Sequence, residues 1–511
     1  MTSSLVFSTF SILVILLLRV CSIHIQDNVF DVTSFHSISG GALDITKALL
    51  KAWSEACDAE NGVVLIPKGT FLLNKVKLAG PCKGSTRFIL NGNLKAPTNV
   101  SVMKHSKHWV LFSNILGLSI VGKGSFDGRG ESAWLLNECK RKLHCISLPI
   151  SISLKNISNA LIQGIVSKNS KFFHITIRKS DSILIKNVRI QAPHNSPNTD
   201  GIHISRSKDI TIVNTNIGTG DDCISLSKGS TNIDIHNVTC GPGHGISIGS
   251  LGQHENEEDV SGIVVKNCTF TNTKNGVRIK TWAPSFSSRV FNLIFQDIIL
   301  NNVSNSILID QHYCPNSHCR SMGESRVEIS NVKFINFRGT SSNKVAVTLD
   351  CSSFLPCDDI VLVGLDISHK RGRPTTADCT NFHGIFDESR SPFACVGEVF
   401  PIPIPTVEIV PTLIGDIVLT PTPINEIVPI PTPTSEIAPT PTPIGEIAST
   451  PTPIGDIVPN PTPTSEIVPT PTPSSEIVPT PTPTSEIVPT PTPTRTNGID
   501  IFYAEDFYSF L

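Results

Sequence analysis

The chain has 511 residues, enough for a large core or several domains, and its formal net charge of −2 hides an uneven distribution. From Pro401 onward twelve acidic residues face one base, Arg495, so this stretch carries −11 and residues 1–400 carry +9, which points to a polyanionic partner. Fourteen cysteines without a CxxC…CxxC pair or a His-rich set argue against a metal module and for a disulfide-bonded, exported protein; of the two candidate polyanions, nucleic acid and an acidic polysaccharide, export favours the polysaccharide.

At the N-terminus an apolar run from Ile12 to Leu18 is followed by Arg19, Cys21 and Ser22. It is too short to span a bilayer, so residues 1–22 are expected to be a cleaved secretory signal, leaving no membrane span. The remaining cysteines suggest local loops: Cys57/Cys82, Cys139/Cys145, Cys223/Cys240, Cys314/Cys319, Cys351/Cys357 and Cys379/Cys395, with Cys268 left over. Spacing alone does not fix that connectivity. Sequons at Asn99, Asn156, Asn237, Asn267 and Asn302 are compatible with secretion.

One helix is expected, about Ile45 to Ala56, with Leu49, Leu50 and Trp53 on its apolar face. It would cap the open end of a stack of strands. A short pattern then recurs: apolar, any, apolar, any, and a residue that tolerates a bend. Its copies are Leu118–Gly122, Ala160–Gly164, Ile183–Asn187, Ile210–Asn214, Ile233–Asn237, Ile263–Asn267, Leu293–Asp297, Val327–Asn331 and Ile360–Gly364. From Gly164 their last positions are 23, 27, 23, 30, 30, 34 and 33 residues apart. Short strands returning at a coil-length interval describe an all-β solenoid, a right-handed parallel β-helix over residues 23–399. A β-sandwich would need hairpin turns between the strands, and the Asn-Gly pairs do not recur there.

Within the repeats, polar groups interrupt four apolar segments: Asn198-Thr-Asp-Gly-Ile-His203, Gly220-Asp-Asp-Cys-Ile-Ser225, Gly241-Pro-Gly-His-Gly-Ile-Ser247 and Arg278-Ile-Lys-Thr-Trp282. Asp200 to Asp221 is 21 residues, Asp222 to His244 is 22 and His244 to Arg278 is 34, about one coil each. Residues one coil apart stack at about 4.8 Å. Three carboxylates, an imidazole, a guanidinium and an ammonium should therefore meet on one face. Adjacent carboxylates push one pKa upward, which suits an acid–base pair for glycoside hydrolysis. Arg278 and Lys280 alternate in one strand, so both can face a sugar carboxylate. Singly, an Asp-Asp pair is an ordinary solvated turn and a His in a Gly-rich loop an ordinary structural residue; their common register is what carries the reading.

Residues 400–498 repeat a decapeptide close to Pro-Thr-Pro-x-x-Glu-Ile-Val-Pro-Thr, with acidic residues every ten positions from Asp416 to Glu486. Proline fixes φ and removes donors, so this Pro/Thr-rich C-terminal tail is expected to be extended, as a spacer or a wall-anchoring arm. Residues 499–511 form a short aromatic end.

From about Phe30 to Cys395, the four motifs in their order and spacing resemble those of the plant polygalacturonases, glycoside hydrolase family 28. The resemblance implies Asp221 as general acid, Asp200 and Asp222 positioning and activating water, and His244 tuning the acid. It also implies Asn198, Arg278, Lys280 and Tyr313 as substrate-binding residues. It implies a secreted, monomeric cell-wall enzyme that hydrolyses polygalacturonate (pectin) with inversion and without metal or cofactor. The stretch Ile309–Cys319 and the motif Ser247–Gly252 look most like the exo-acting, pollen-type members. Ser39-Gly-Gly-Ala-Leu43 departs from the family's usual Gly-Asp-Gly turn. Endo action, a rhamnogalacturonan hydrolase, a calcium-dependent lyase and a non-enzymatic pectin-binding wall protein are the alternatives.

Overall fold

The computed structural model describes residues 28–35, 44–103, 106–137, 148–315, 323–386 and Cys395. All of them lie in the first of the two units into which the chain divides, Met1–Pro405. The expected signal segment, Ser39–Leu43 and the decapeptide tail fall outside the described residues.

The described chain is a right-handed parallel β-helix, the hand that parallel crossovers adopt. Every named strand pairing is parallel except the short pair at Ser368–His369 and Arg373–Pro374. Inward side chains stack coil upon coil. One such column runs Phe88, Ile120, Ile162, Ile185, Ile212, Ile235, Val265, Phe295, Phe334 and Leu362 through successive register partners. All are buried. Each contributes about 1.5–3 kcal/mol of burial, so the core is long and continuous.

The helix α1 (Thr46–Asp58) packs on the first coils. The Asp44 carboxylate accepts the Thr46 N–H at 2.9 Å, and Trp53 Nε1 donates to Ala79 O at 3.0 Å. Its inner face is Ala48, Leu49, Ala52, Trp53, Ala56 and Cys57; Leu50, expected there, is 41 % exposed. Consecutive leucines at 49 and 50 are about 100° apart on a helix, and alanines supply the rest of the face.

The bend residues obey a backbone rule. Asn187, Asn214, Asn237, Asn267 and Asp297 all have φ between 52° and 56°, the left-handed region that Asn and Asp tolerate. The copy expected at Val327–Asn331 is out of register. Val332 is the partner of Leu293 and of Ile360, so the true member is Val332–Asn336. Its Phe334 stacks on Phe295 at 5.2 Å, and Asn336 has φ 56°. Val327–Asn331 imitates the pattern because it lies in the same long strand and ends in another left-handed Asn, φ 49°.

Disulfides join Cys57–Cys82, Cys223–Cys240, Cys351–Cys357 and Cys379–Cys395, as the spacing suggested, and Cys268 is buried and free. Cys139, Cys145 and Cys319 lie outside the described residues.

Candidate active site

Seven strands form one sheet that faces solvent: β1 (Ile175–Arg178), β2 (Ile202–Ser205), β3 (Ile224–Leu226), β4 (Ile246–Leu251), β5 (Asn275–Trp282), β6 (Asn305–Tyr313) and β7 (Val345–Asp350). Apart from Leu308 and Val345, their isoleucines, leucines and valines point inward and the alternate residues outward. Register places Thr176, His203, Ser225, Ser247, Arg278, Leu308 and Thr348 in one outward column. In a second column Lys280, Asp310 and Asp350 follow one another.

Asp200, Asp222 and His244 each stand two residues ahead of the register partners Ile202, Ile224 and Ile246. The stack is therefore Asp200, Asp222, His244 at 22-residue steps, with Asp221 beside it and not within it. Backbone bonds hold these turns: Gly201 N donates to Asp222 O at 2.9 Å and Cys223 N to Gly245 O at 2.8 Å. Gly245 has φ 91°, and a Cβ there would lie 2.2 Å from Asn275 O, so the next coil can pack beneath His244 only against glycine.

Of the expected residues, Asp221 and His244 meet at Oδ1–Nδ1 2.9 Å. The Lys280 ammonium lies 3.0 Å from Asp222 Oδ2. Arg278 Nη2 is 2.8 Å from Asp310 Oδ2, and its guanidinium sits over the Tyr313 ring at 5.0 Å. Lys280 lies 5.5 Å from the same ring, and Trp282 meets it edge-on. Asn198, φ 52°, accepts a hydrogen bond at its Oδ1 from Asn137 Nδ2 at 3.1 Å. Asn137 belongs to the segment after Ser125–Asp127, two coils earlier, so that segment crosses to the coil of Asp200.

Three residues without an assigned role orient the carboxylates. Ser225 Oγ donates to Asp200 Oδ2 at 2.8 Å, and Ser247 Oγ donates to Asp222 Oδ1 at 2.8 Å. His203 Nδ1 lies 2.8 Å from Ser225 Oγ. Because the Ser225 proton points at Asp200, its oxygen accepts from His203, which fixes the Nδ1–H tautomer. Burial, with Lys280 and Arg178 nearby, pushes His203 down to about 3, so this ring is neutral. The signal was legible as an i, i+3 echo: Asp200 and His203, Asp222 and Ser225, His244 and Ser247 share one spacing.

The carboxylates are electrostatically unlike. Burial first, then Asp221 and Asp222, hold the Asp200 carboxyl well above the usual range against Lys280 and Ser225. Burial also works to raise Asp221, but the hydrogen bond and charge of His244, with Lys280 and the Asp222 N–H, bring it below its ordinary value. Burial is the largest single influence on Lys280 and lowers it, but Asp222, Tyr313 and Asp221 together outweigh burial and Arg278 and hold the ammonium up. Burial raises the Tyr313 hydroxyl. Ligand atoms of Asp221, Asp222 and His244 lie within 4.8 Å of one another, a spacing open to a cation. Lys280 already compensates Asp222, however, and the His244 Nδ1 is turned on Asp221.

The family model described as glycosyl hydrolases family 28 matches residues 57–395. A polygalacturonase of Gossypium hirsutum is 44 % identical over 391 residues, which is 76 % of this chain and 96 % of that protein. An exopolygalacturonase of Platanus acerifolia is 44 % identical over 368 residues, 71 % of this chain and 97 % of its own length. Among solved structures, an endo-xylogalacturonan hydrolase of Aspergillus tubingensis superposes with a TM-score of 0.61 over 73 % of this chain and 99 % of its own, at 24 % identity. That last likeness is one of fold alone.

Proposed function

The chain belongs to the glycosyl hydrolases of family 28, and from that premise we propose that it hydrolyses α-1,4-galacturonosyl bonds of polygalacturonate with inversion, working from a chain end. The observation that carries the chemistry is the pairing of Asp221 with His244 beside the pairing of Asp222 with Lys280. Asp221 and His244 share one proton across 2.9 Å, and Asp221 Oδ passes it to the departing glycosidic oxygen. The attacking water donates a hydrogen bond to Asp222, which takes its proton. Asp200, kept protonated by burial and by its two neighbours, donates to the same water and aims it. One proton leaves the Asp221–His244 pair and one arrives on Asp222, so each turnover balances after exchange with solvent.

Arg278, Lys280 and Tyr313 form a cationic, aromatic wall suited to a sugar carboxylate. Action from a chain end is supported by the exopolygalacturonases among the relatives and by the Asn137–Asn198 contact. That contact sets a segment from two coils earlier against the site on its early-coil side, with Leu135 and Leu136 exposed on it. The uncut chain then runs over the later coils. We further propose that the enzyme is secreted as a monomer to the cell wall, in keeping with its four described disulfides. No helix among the described residues is long and apolar enough to cross a membrane.

Chromatography of products from polygalacturonate tests the mode: monomer alone is expected, and an early ladder of oligomers would establish endo action. Proton NMR of the first products tests the stereochemistry, and retained configuration at the new reducing end overturns the direct water attack.

A further inference from the structure

Past Tyr313 the groove floor changes sign. Where Arg278 stands in one outward column, its partner one coil later is Leu308, and Thr348 and Asp378 follow. Where Lys280 stands in the other, its successors are Asp310, Asp350 and Thr380. Each step is one strand spacing, about 4.8 Å. None of these six later positions is basic, so the cationic wall ends at β5.

Asp310 is compensated by Arg278 at 2.8 Å. Asp350 and Glu324 are not compensated to the same degree. They share one imidazole: His312 Nδ1 is 3.0 Å from Asp350 Oδ2, and His312 Nε2 is 3.4 Å from Glu324 Oε2. Two carboxylates facing one ring keep a net negative charge in either protonation state of the ring. Both are about 40 % exposed and therefore present that charge to the groove. Hydrogen bonds from Ser352 Oγ at 3.0 Å and Ser353 N at 3.2 Å fix Glu324 in place. Asp350 Oδ1 takes a longer bond from Thr380. Of the other described bases nearby, Arg326 is turned over the Phe354 ring at 5.4 Å.

We propose that the coil after Tyr313 is a subsite for a galacturonate unit whose carboxyl is esterified, with Asp350 and Glu324 as the residues that discriminate against a free carboxylate. This rests on the polygalacturonate reading of the active site. A free uronate placed here meets two like charges with no base among the described residues, beyond the His312 they already share, to answer them. A methyl ester removes that repulsion and sets its methyl toward the Leu308 floor. The reacting unit stays de-esterified because Arg278 and Lys280 read its carboxylate. The enzyme thus selects a free unit at the site and prefers an ester beyond it.

The test compares wild type with the double variant Asp350→Asn, Glu324→Gln on fully de-esterified polygalacturonate and on oligogalacturonates of partial methyl esterification. Wild type is expected to show a KM about threefold or more lower for the partially esterified oligomers at low salt, a preference that weakens as salt rises. The double variant should lower KM for the free acid to the esterified level and leave kcat within twofold, by the same charge argument. If that variant fails to fold, each single change carries a part of the shift. Equal KM values in wild type for the two substrates, or a preference that survives in the double variant, overturn the subsite. No hydrolysis of either substrate by wild type overturns instead the polygalacturonate reading on which it rests, and the subsite falls with it.

Discussion

His244 Nδ1 lies 2.9 Å from Asp221 Oδ1, and this contact, with Lys280 and the Asp222 N–H, offsets the burial that would otherwise raise the Asp221 carboxyl. The acid of the reaction is then a pair and not a single group. His244→Gln keeps a hydrogen bond but holds no proton. With the imidazole gone the proton rests on the Asp221 carboxyl alone, so the alkaline limb of the kcat profile should move. The loss in kcat at the optimum should be about 10- to 100-fold. A pH–rate profile with an unmoved alkaline limb would show that the proton is not stored on His244.

Asp221→Asn removes proton donation and little else, since the amide still accepts from the Asp222 N–H, which lies 3.0 Å from Asp221 Oδ1. Turnover should fall by about 10²- to 10⁴-fold with oligogalacturonate affinity unchanged. Calorimetric titration beside initial rates decides this, and a variant that binds poorly would mean that Asp221 serves the substrate and not the proton.

Arg278 and Lys280 differ more than their alternation in one strand suggests. Arg278 spends one donor on Asp310, whereas Lys280 compensates Asp222 at 3.0 Å. Arg278→Ala should therefore raise KM about tenfold or more with kcat nearly kept. Lys280→Ala should raise KM and lower kcat together, because it leaves Asp222 uncompensated next to Asp221. Equal kcat in the two variants would remove Lys280 from the water-activating side of the site.

The repeat was legible in the sequence because Ile, Val and Leu alternate with polar residues and end on Asn, Asp or Gly, the residues that reach left-handed φ at least cost. It failed at one coil. Val327–Asn331 and Val332–Asn336 both satisfy the pattern, and only the stacking of Phe334 on Phe295 selects the second. The site was legible as intervals, yet the interval from Asp200 to Asp221 was one residue short of the true register, which joins Asp200 to Asp222. What the sequence left hidden was direction: that Ser225 and Ser247 each reach back one coil to a carboxylate, and that the raised pKa belongs to Asp200.

The register correction has its own consequence. Asn336 combines φ 56° with a bond from Nδ2 to Asp297 Oδ1 at 2.9 Å. Asn336→Ala loses both the tolerance and the bond and should cost about 1–2 kcal/mol. Asn336→Gly restores the backbone freedom and should recover part of it. Urea unfolding of the two variants gives the order, and an alanine variant as stable as wild type would argue that the ladder at this bend contributes nothing.

Asp200 offers the clearest separation of stability from activity. Its carboxyl ordinarily titrates at 3.8 and is held well above that in the fold, by burial first and then by Asp221 and Asp222. At pH 3 the group is protonated in folded and unfolded chains alike and has no effect on stability. As pH rises through 3.8 the unfolded chain ionises freely and the folded chain resists, so the unfolded state binds fewer protons and stability falls. The loss is complete once pH has passed the raised folded value. Asn in this position copies the protonated shape and still accepts from Ser225 Oγ, but it never ionises. Asp200→Asn should therefore match wild type in Tm near pH 3 and exceed it by about 2–4 °C at pH 7, while turnover falls by about 100-fold or more. Calorimetric scans at both pH values measure the difference directly. A variant that gains nothing at pH 7, or that gains equally at pH 3, would place the strained carboxyl elsewhere and return the water-aiming role to Asp222 alone.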